Sequence, residues 1–177
     1  MHYLLVDGYN IIHADEALTR MATEDSLEGA RLKLCDMLCE FKALSVYSII
    51  VVFDAHLVSG GIGSVTKQRN ITVVFTKEAE TADHYIERVT TEMMQRAVKD
   101  RKITVATSDV LEQLIILGKG AARISADALL TEMQTARETM RTKHIQNRPI
   151  KNNPVINLVD EKTALLLEAM RYDKPKK

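Results

Sequence analysis

Four short apolar runs, each followed closely by an acidic residue, form the strongest pattern along the chain. The runs cover residues 2–6, 48–53, 71–75 and 103–106, and the acids after them are Asp7, Asp54, Glu80 with Asp83, and Asp109. Runs of this length, rich in β-branched residues, are typical of strands that are buried on both faces. We therefore predict four buried strands that each end near a carboxylate.

The segments between these runs carry apolar residues at helical spacing. The predicted helices begin near Glu24, Thr81, Asp109 and Ser125, and a last one lies near residues 158–171. A short fifth strand is predicted at residues 121–124, whereas residues 11–21 are ambiguous. Strands that alternate with helices predict an α/β fold, with a parallel sheet of four to five strands, helices on both faces and C-terminal helices.

The chain length of 177 residues is that of one domain with an extension. We assign the main domain to residues 1–147, and a C-terminal helical extension with a basic tail to residues 148–177. The glycine-rich stretch at 59–64 has no periodicity, so we expect a loop that runs to about Arg69. The segment is long enough for a crossover, which the strand at 71–75 needs in order to run parallel to the first two.

The acids are expected to meet in space, because ligands of open parallel sheets bind at the carboxyl ends of the strands. Carboxylates that lie close together raise one another's pKa and repel, unless a cation neutralises them. Mg²⁺ and Mn²⁺ suit such a site, since they prefer oxygen ligands and keep waters and substrate phosphates in their shells. No His directly follows a strand, which disfavours a zinc hydrolase.

Each acid also has a purely structural interpretation. Asp7 suits a turn, Asp54 simply ends a strand, and Asp109 matches a helix capping box. The acids around Thr81 suit the first turn of a helix. Asn10 either holds a carboxylate or a phosphate oxygen, or belongs to a turn. The complete set of acids, rather than any single one, favours a metal site.

An acidic site with Mg²⁺ or Mn²⁺ predicts hydrolysis of phosphodiester bonds, in which a carboxylate orients the attacking water or takes its proton. Two other functions remain open from the residues alone. A Mg²⁺-dependent phosphatase or phosphotransferase would also use strand-end acids, but normally has a second acid where this chain has Tyr9. A non-catalytic RNA- or ribosome-binding module is the other alternative, and the intact acids disfavour it.

Composition changes this picture little. The 24 basic and 24 acidic residues give a net charge of zero, which argues against a strongly electrostatic nucleic-acid binder, although residues 137–151 and 174–177 are locally basic. Cys35 and Cys39 are interpreted as two reduced core thiols rather than half a metal site. No apolar run is as long as a membrane span, so we expect a cytoplasmic protein without a membrane partner.

The motifs that carry the acids, taken together, resemble those of the YacP-like NYN domains, which belong to the PIN-like ribonucleases. They are Val6–Asn10, Val52–His56, Thr76–Asp83 and Ala106–Asp109. The resemblance runs in order from residue 2 to about residue 135. It implies a PIN-like α/β fold and the activity of a Mg²⁺- or Mn²⁺-dependent endoribonuclease.

The resemblance also implies roles for the acids. Asp7, Asp83 and Asp109 would bind the metal and act in catalysis, with Asp54 and Glu80 adjoining as further metal ligands. Either Glu80 or Asp83 can supply the ligand that comes from the helix after the middle strand, and we favour Asp83. The family includes a bacterial endonuclease that cleaves mRNA on the ribosome, so mRNA and the ribosome are the expected partners.

Single-stranded RNA is the expected substrate, and polar residues expected to flank a cleft around the acids are the candidates for binding it. They are Asn10, Lys67, Arg69, Lys77, Ser108 and Arg123. The basic stretch at 137–151 is a weaker candidate for contact with RNA or the ribosome.

Overall fold

The alternating pattern of the sequence produces six strands and six helices within the described part of the chain. In this computed structural model the described residues are 1–54, 63–95 and 102–146. The strands are β1 (His2–Asp7), β2 (Tyr47–Phe53), β3 (Ser64–Gln68), β4 (Ile71–Phe75), β5 (Lys102–Ala106) and β6 (Ala122–Ile124). The helices are α1 (Gly8–Ala14), α2 (Glu16–Glu24), α3 (Leu27–Leu44), α4 (Ala82–Gln95), α5 (Val110–Gly118) and α6 (Ala126–Gln146).

The strands form one sheet in the order β3-β4-β2-β1-β5-β6. All neighbouring strands are parallel except β3, which runs antiparallel to β4. The prediction that residues 71–75 run parallel to the first two strands is confirmed, because β4 pairs in parallel with β2. The carboxyl ends of β1, β2, β4 and β5 therefore meet along one side of the sheet, which we call the carboxyl edge.

Strand β3 replaces part of a predicted loop, and that prediction is wrong for residues 64–68. These residues pair with β4 from Ser64 opposite Phe75 to Gln68 opposite Ile71. The tight turn between the two strands contains Arg69 at a φ of 55°. Exposed and polar side chains along this edge strand give it no buried face, so the hydrophobic pattern does not mark it as a strand. Residues 59–62 of the glycine-rich stretch lie outside the described residues.

The ambiguous residues 11–21 belong to α1 and α2. Capping side chains fix where α2 and the next helix, α3, begin. The carboxylate of Asp15 accepts a hydrogen bond from the Leu18 N–H (2.9 Å) and so begins α2. The hydroxyl of Ser26 accepts one from the Gly29 N–H (2.9 Å), and α3 therefore begins at Leu27 rather than near Glu24.

Helices cover both faces of the sheet, as predicted. One core joins α1, α2, α3 and α6 to side chains such as Leu4 and Val6, while the other joins α4 and α5 to the alternate residue Leu5. Cys35 and Cys39 are buried free thiols, which confirms their interpretation.

The described residues up to Met140 belong to one compact unit, and those from Arg141 onward belong to a second unit. Of this second unit the structure describes only the end of α6. The predicted domain boundary at residue 147 and the predicted helix near 158–171 lie outside the described residues. Within the described residues, no helix has both the length and the apolar character that crossing a membrane requires.

Gly8 lies against the ring of Phe53, where a larger residue does not fit. A Cβ atom at Gly8 would lie 2.2 Å from Phe53 Cε1 and 2.5 Å from Cδ1. The ring is fully buried, with the ring centroids of Tyr9 and Phe75 at 5.4 and 5.5 Å, so it has little room to move away. We expect Gly8→Ala to lower the free energy of unfolding by about 1–3 kcal/mol, because overpacking a core forces atoms apart.

Gly118→Ala is the matched control, since no heavy atom lies within 4 Å of a Cβ atom built at Gly118. Alanine is a better helix former than glycine, so this variant is expected to keep or raise the melting temperature. Thermal unfolding followed by circular dichroism measures both effects. Equal melting temperatures for the two variants would contradict the close approach of Gly8 to Phe53.

Candidate active site

Asp7 lies at the centre of the carboxyl edge, where β1 passes directly into α1. Its side chain is buried, with 4% of the residue's surface exposed. The Asn10 N–H donates to Asp7 Oδ1 (3.1 Å), and Asn10 Nδ2 donates to Asp7 Oδ2 (2.7 Å). Asp7 is therefore the capping residue of α1. These two bonds fix the orientation of the Asp7 carboxylate. Asn10 therefore stabilises the turn and also positions Asp7 to bind a ligand at the carboxyl edge.

Asp83 meets Asp7 from the first turn of α4. The two carboxyl groups lie within hydrogen-bonding distance of each other, although they are far apart in sequence. Burial raises the pKa of Asp7. Burial also raises the pKa of Asp83, and the negative charges of Asp7 and Asp109 raise it further. Two carboxyl groups this close repel each other when both are ionised, so a cation that binds between them would be favoured.

Asp109 and Asp54 lie beyond the ends of the strands that flank β1. Asp109 is exposed after β5, close enough to Asp83 for its charge to raise the pKa of that carboxyl group. Its N–H donates to Thr107 Oγ1 (3.1 Å), which orders the segment after β5. Asp54 is partly buried, two residues beyond Val52, the residue that pairs with Asp7.

The chemistry of this set suits a hard divalent cation. Mg²⁺ is commonly held by one or two carboxylates and completes its shell with waters and substrate phosphates, so Asp7 and Asp83 are a sufficient pair. Among the described residues, no group of three or more His, Cys, Asp or Glu side chains forms a complete ligand set. The fit therefore rests on the two adjacent carboxyl groups and on the charge of Asp109 beside them.

Glu80 points to a different partner. Its Oε1 accepts hydrogen bonds from Arg88 Nε (3.1 Å) and Arg88 Nη2 (2.7 Å). Arg88 Nη1 also lies 3.4 Å from Glu92 Oε1. Of the two acids considered for the position on α4, the structure brings Asp83 to Asp7 and pairs Glu80 with Arg88.

Lys67 and Arg69 do not flank the acids, and the expectation that they do is wrong. Lys67 pairs with Thr72 near the start of β4, and Arg69 lies in the turn that follows β3. Arg69 Nη1 donates to Asp36 Oδ1 (3.2 Å) on α3. The physical reason is the direction of β3. Because β3 is antiparallel to β4, it begins at the carboxyl edge and ends beside the first residues of β4, on the side of the sheet opposite the carboxyl edge.

The other candidates for RNA binding lie at or near the carboxyl edge. Lys77 and Ser108 are exposed just beyond the ends of β4 and β5. The guanidinium of Arg123 donates to the side-chain oxygen of Gln113, whose Nε2 donates to the Thr107 carbonyl (2.8 Å). The buried Gln113 is a residue of this edge that the sequence pattern does not single out. Its only mark in the sequence is that it and Glu112 are the two polar residues of α5, and its amide supports the segment that carries Asp109.

Asp83→Asn is expected to stabilise the metal-free protein at neutral pH. The pKa of Asp83 in the folded protein is raised above the value of 3.8 for an isolated side chain. The protonated side chain therefore stabilises the fold below pH 3.8, and this contribution is lost as the pH rises through the raised pKa. Calorimetry in a chelating buffer should show a higher melting temperature for the variant at about pH 7, and a smaller difference towards about pH 4.

Asp127→Asn is a suitable control, since Asp127 also lies in the first turn of a helix. The substitution removes a negative charge that the helix dipole stabilises, and it relieves no repulsion between two carboxylates. No gain in melting temperature is therefore expected. If both variants lowered the melting temperature equally, the close pairing of Asp83 with Asp7 would be contradicted.

Comparisons with known proteins identify relatives of this architecture. Residues 4–172 match the family model of the YacP-like NYN domain. The uncharacterized protein YacP of Bacillus subtilis (strain 168) is 44% identical over 135 residues, which are 76% of each chain. A crystal structure of Rae1 (YacP) from Bacillus subtilis matches with a TM-score of 0.70 at 36% identity, over 98% of this chain and 97% of that one. A crystal structure of a tryptophan-to-leucine mutant of Rae1 matches with a TM-score of 0.68 at 35% identity, over 96% of this chain and 99% of that one. The predicted PIN-like α/β fold is confirmed.

Proposed function

The chain belongs to the YacP-like NYN family, which has a nuclease-like fold, and on that premise we propose that it is a Mg²⁺- or Mn²⁺-dependent endoribonuclease. Its substrate would be single-stranded RNA. The observation that carries the proposal is the close approach of the carboxyl groups of Asp7 and Asp83 at the carboxyl edge, beside the charge of Asp109. A nuclease that needs a cation close to a phosphate requires such a concentration of carboxylates.

The acids divide the work according to their surroundings. Asp7 and Asp83 would hold the cation, which when bound lowers the pKa of water and offsets negative charge on the phosphate. Asp109 is exposed, and the hydrogen bond from its backbone N–H to Thr107 orders the segment that carries it. Its carboxylate can therefore orient the attacking water or accept its proton. Asp54 is a further candidate ligand at the same edge. Glu80 is bonded to Arg88, so it is not proposed as a direct ligand of the cation.

The RNA backbone would be held by residues at the carboxyl edge. Lys77 and Arg123 supply positive charge, and Asn10 and Ser108 supply polar groups next to the acids. Lys67 and Arg69 are not part of this proposal, because they lie at the opposite edge. By resemblance to the family, we propose mRNA on the ribosome as the substrate and the cytoplasm as the compartment.

A phosphatase is the weaker candidate. The position two residues after Asp7, where such an enzyme normally has an acid, holds the buried Tyr9. The hydroxyl of Tyr9 accepts a hydrogen bond from Arg31 Nη1 (3.0 Å), so this side chain serves the core and not the acid pair.

The test is a cleavage assay on a circular single-stranded RNA, because a circle has no ends and reports internal cuts only. We expect the purified chain to linearise the circle when Mn²⁺ or Mg²⁺ is present. Cleavage should stop when a chelator is added and resume when the cation is restored. Release of phosphate from small phosphomonoesters with the circle intact would favour the phosphatase. Absence of Mn²⁺ binding by calorimetry, together with an intact circle, would favour the non-catalytic RNA- or ribosome-binding module.

A further inference from the structure

A cleft of about 550 Å³ opens beside the acid pair, between α4 and the outer strands of the sheet. We call it the side cleft. Val65 and Val74 of the sheet line it, together with Tyr85 and Arg88 of α4 and Lys77 after β4. The function proposed above does not use these α4 side chains. Among the described residues, α4 packs mainly against β1, β2 and β5, so that Val74 of β4 is buried at the floor of the cleft whereas Val65 of β3 stays exposed.

Arg88 and Tyr85 of α4 form part of one wall of the side cleft. The guanidinium carbon of Arg88 lies over the Tyr85 ring, 5.0 Å from its centroid. Hydrogen bonds to Glu80 and Glu92 hold the guanidinium in this position. Guanidinium groups and aromatic rings are the two kinds of side-chain surface on which unpaired RNA bases stack. The wall is therefore already arranged for a flat aromatic ligand.

The charges of the side cleft favour a base over a phosphate. Arg88 is paired with two carboxylates, Glu80 and Glu92, so its positive charge is already balanced. Lys77 is exposed at the rim and remains available for a backbone phosphate. Val65 is 66% exposed and offers apolar surface that no part of the described chain covers.

The side cleft and the acid pair share the helix α4. Asp83 and Tyr85 are two residues apart on this helix, so Asp83 faces Asp7 while Tyr85 lines the cleft on the other flank. The strands β1 and β4 are separated only by β2, which puts them about 10 Å apart.

We propose that the side cleft binds the base of a nucleotide next to the cleaved phosphodiester bond, stacked on the Arg88–Tyr85 surface. This inference rests on the proposed nuclease function, and it adds a base-binding position to it. RNA held there would cross the start of α4, which brings its backbone past Lys77 to the acids. The stacked base would thereby help to position the bond that is cut.

The absence of tryptophan from the chain allows a direct test. Tyr85→Trp, combined with Asp7→Asn to prevent cleavage, places one fluorescent indole in the side cleft. We expect a saturable loss of indole fluorescence when a single-stranded RNA is added in metal-free buffer. Heparin, a polyanion without bases, is expected to leave this fluorescence unchanged. Tyr3→Trp in the same background is the control, since Tyr3 lies near the opposite end of β1.

A second measurement keeps the test decisive if the indole disturbs the cleft. Tyr85→Leu keeps an apolar side chain but removes the flat ring, so RNA affinity is expected to fall about tenfold, as for the loss of one stacked base. Binding is measured by the anisotropy of a labelled RNA, also in the Asp7→Asn background. The inference would be overturned by two results together: full RNA affinity of the Tyr85→Leu variant, and no quenching of the indole in the Tyr85→Trp variant. A chain that neither binds nor cuts RNA would instead refute the proposed nuclease function.

Discussion

Asp7→Asn is expected to lower kcat for RNA cleavage by about 10³-fold. Asp7 is the buried member of the acid pair, and the substitution removes one of its two negative charges. A ligand to a catalytic cation supports several kcal/mol of transition-state stabilisation, and each 1.4 kcal/mol corresponds to about tenfold in rate. The effect should appear in kcat more than in KM, because Lys77 and Arg123 remain available to the RNA backbone.

The fold should survive this change. An asparagine side chain caps a helix about as well as an aspartate, so α1 keeps its first turn. Burial raises the pKa of Asp7, which means that its ionised form is unfavourable in the metal-free fold. We expect circular dichroism spectra and melting temperatures in chelator to match or exceed those of the unmodified chain.

Asp15→Asn is the matched control, because Asp15 caps α2 through the same kind of hydrogen bond and lies after the opposite end of α1. It should retain full activity. Retention of normal cleavage by Asp7→Asn, with Mn²⁺ present and no contaminating nuclease, would remove Asp7 from the catalytic site.

Mn²⁺ is expected to raise the melting temperature of the unmodified chain by several degrees. A ligand that binds only the folded state at about 100 times its Kd adds about 2.7 kcal/mol to the free energy of unfolding. For a chain of this size that corresponds to a shift of about 5–10 °C. The cation removes the repulsion between Asp7 and Asp83, which gives this binding its structural origin.

Two variants show whether Asp83 or Glu80 is the second ligand of the cation. Asp83→Asn should lose most of the Mn²⁺ shift, since it removes half of the carboxylate pair. Glu80→Gln should keep the shift, because Glu80 is bonded to Arg88. Differential scanning calorimetry with and without Mn²⁺ measures both. The opposite result, a lost shift for Glu80→Gln alone, would transfer the ligand role to Glu80.

The central strands of the fold could be predicted from sequence, because each is a short apolar run buried on both faces. The same pattern identified Asp7 and Asp109 at strand ends. Strand β3 could not be predicted in this way. Its side chains are exposed on an edge, so its pairing depends on backbone hydrogen bonds to β4 and leaves no periodicity in the sequence.

Direction and distance decided the remaining features. The antiparallel course of β3 moved Lys67 and Arg69 to the opposite edge, and no property of these residues signals that course. Glu80 and Asp83 are equivalent in sequence, as two acids near the start of one helix. Only the packing of α4 against β1 and β2 sends Asp83 to Asp7 and leaves Glu80 to Arg88.

The sequence by itself determined which strands are central, where their acids lie, and to which family the motifs point. These properties are local, since burial of a strand and the turn that follows it are encoded within a few neighbouring residues. The tertiary structure alone decided that Asp7 and Asp83 share one site, and that a side cleft lies beside them. Both depend on the side-by-side packing of segments distant in sequence, and the separation of two side chains in space is not encoded in either segment alone.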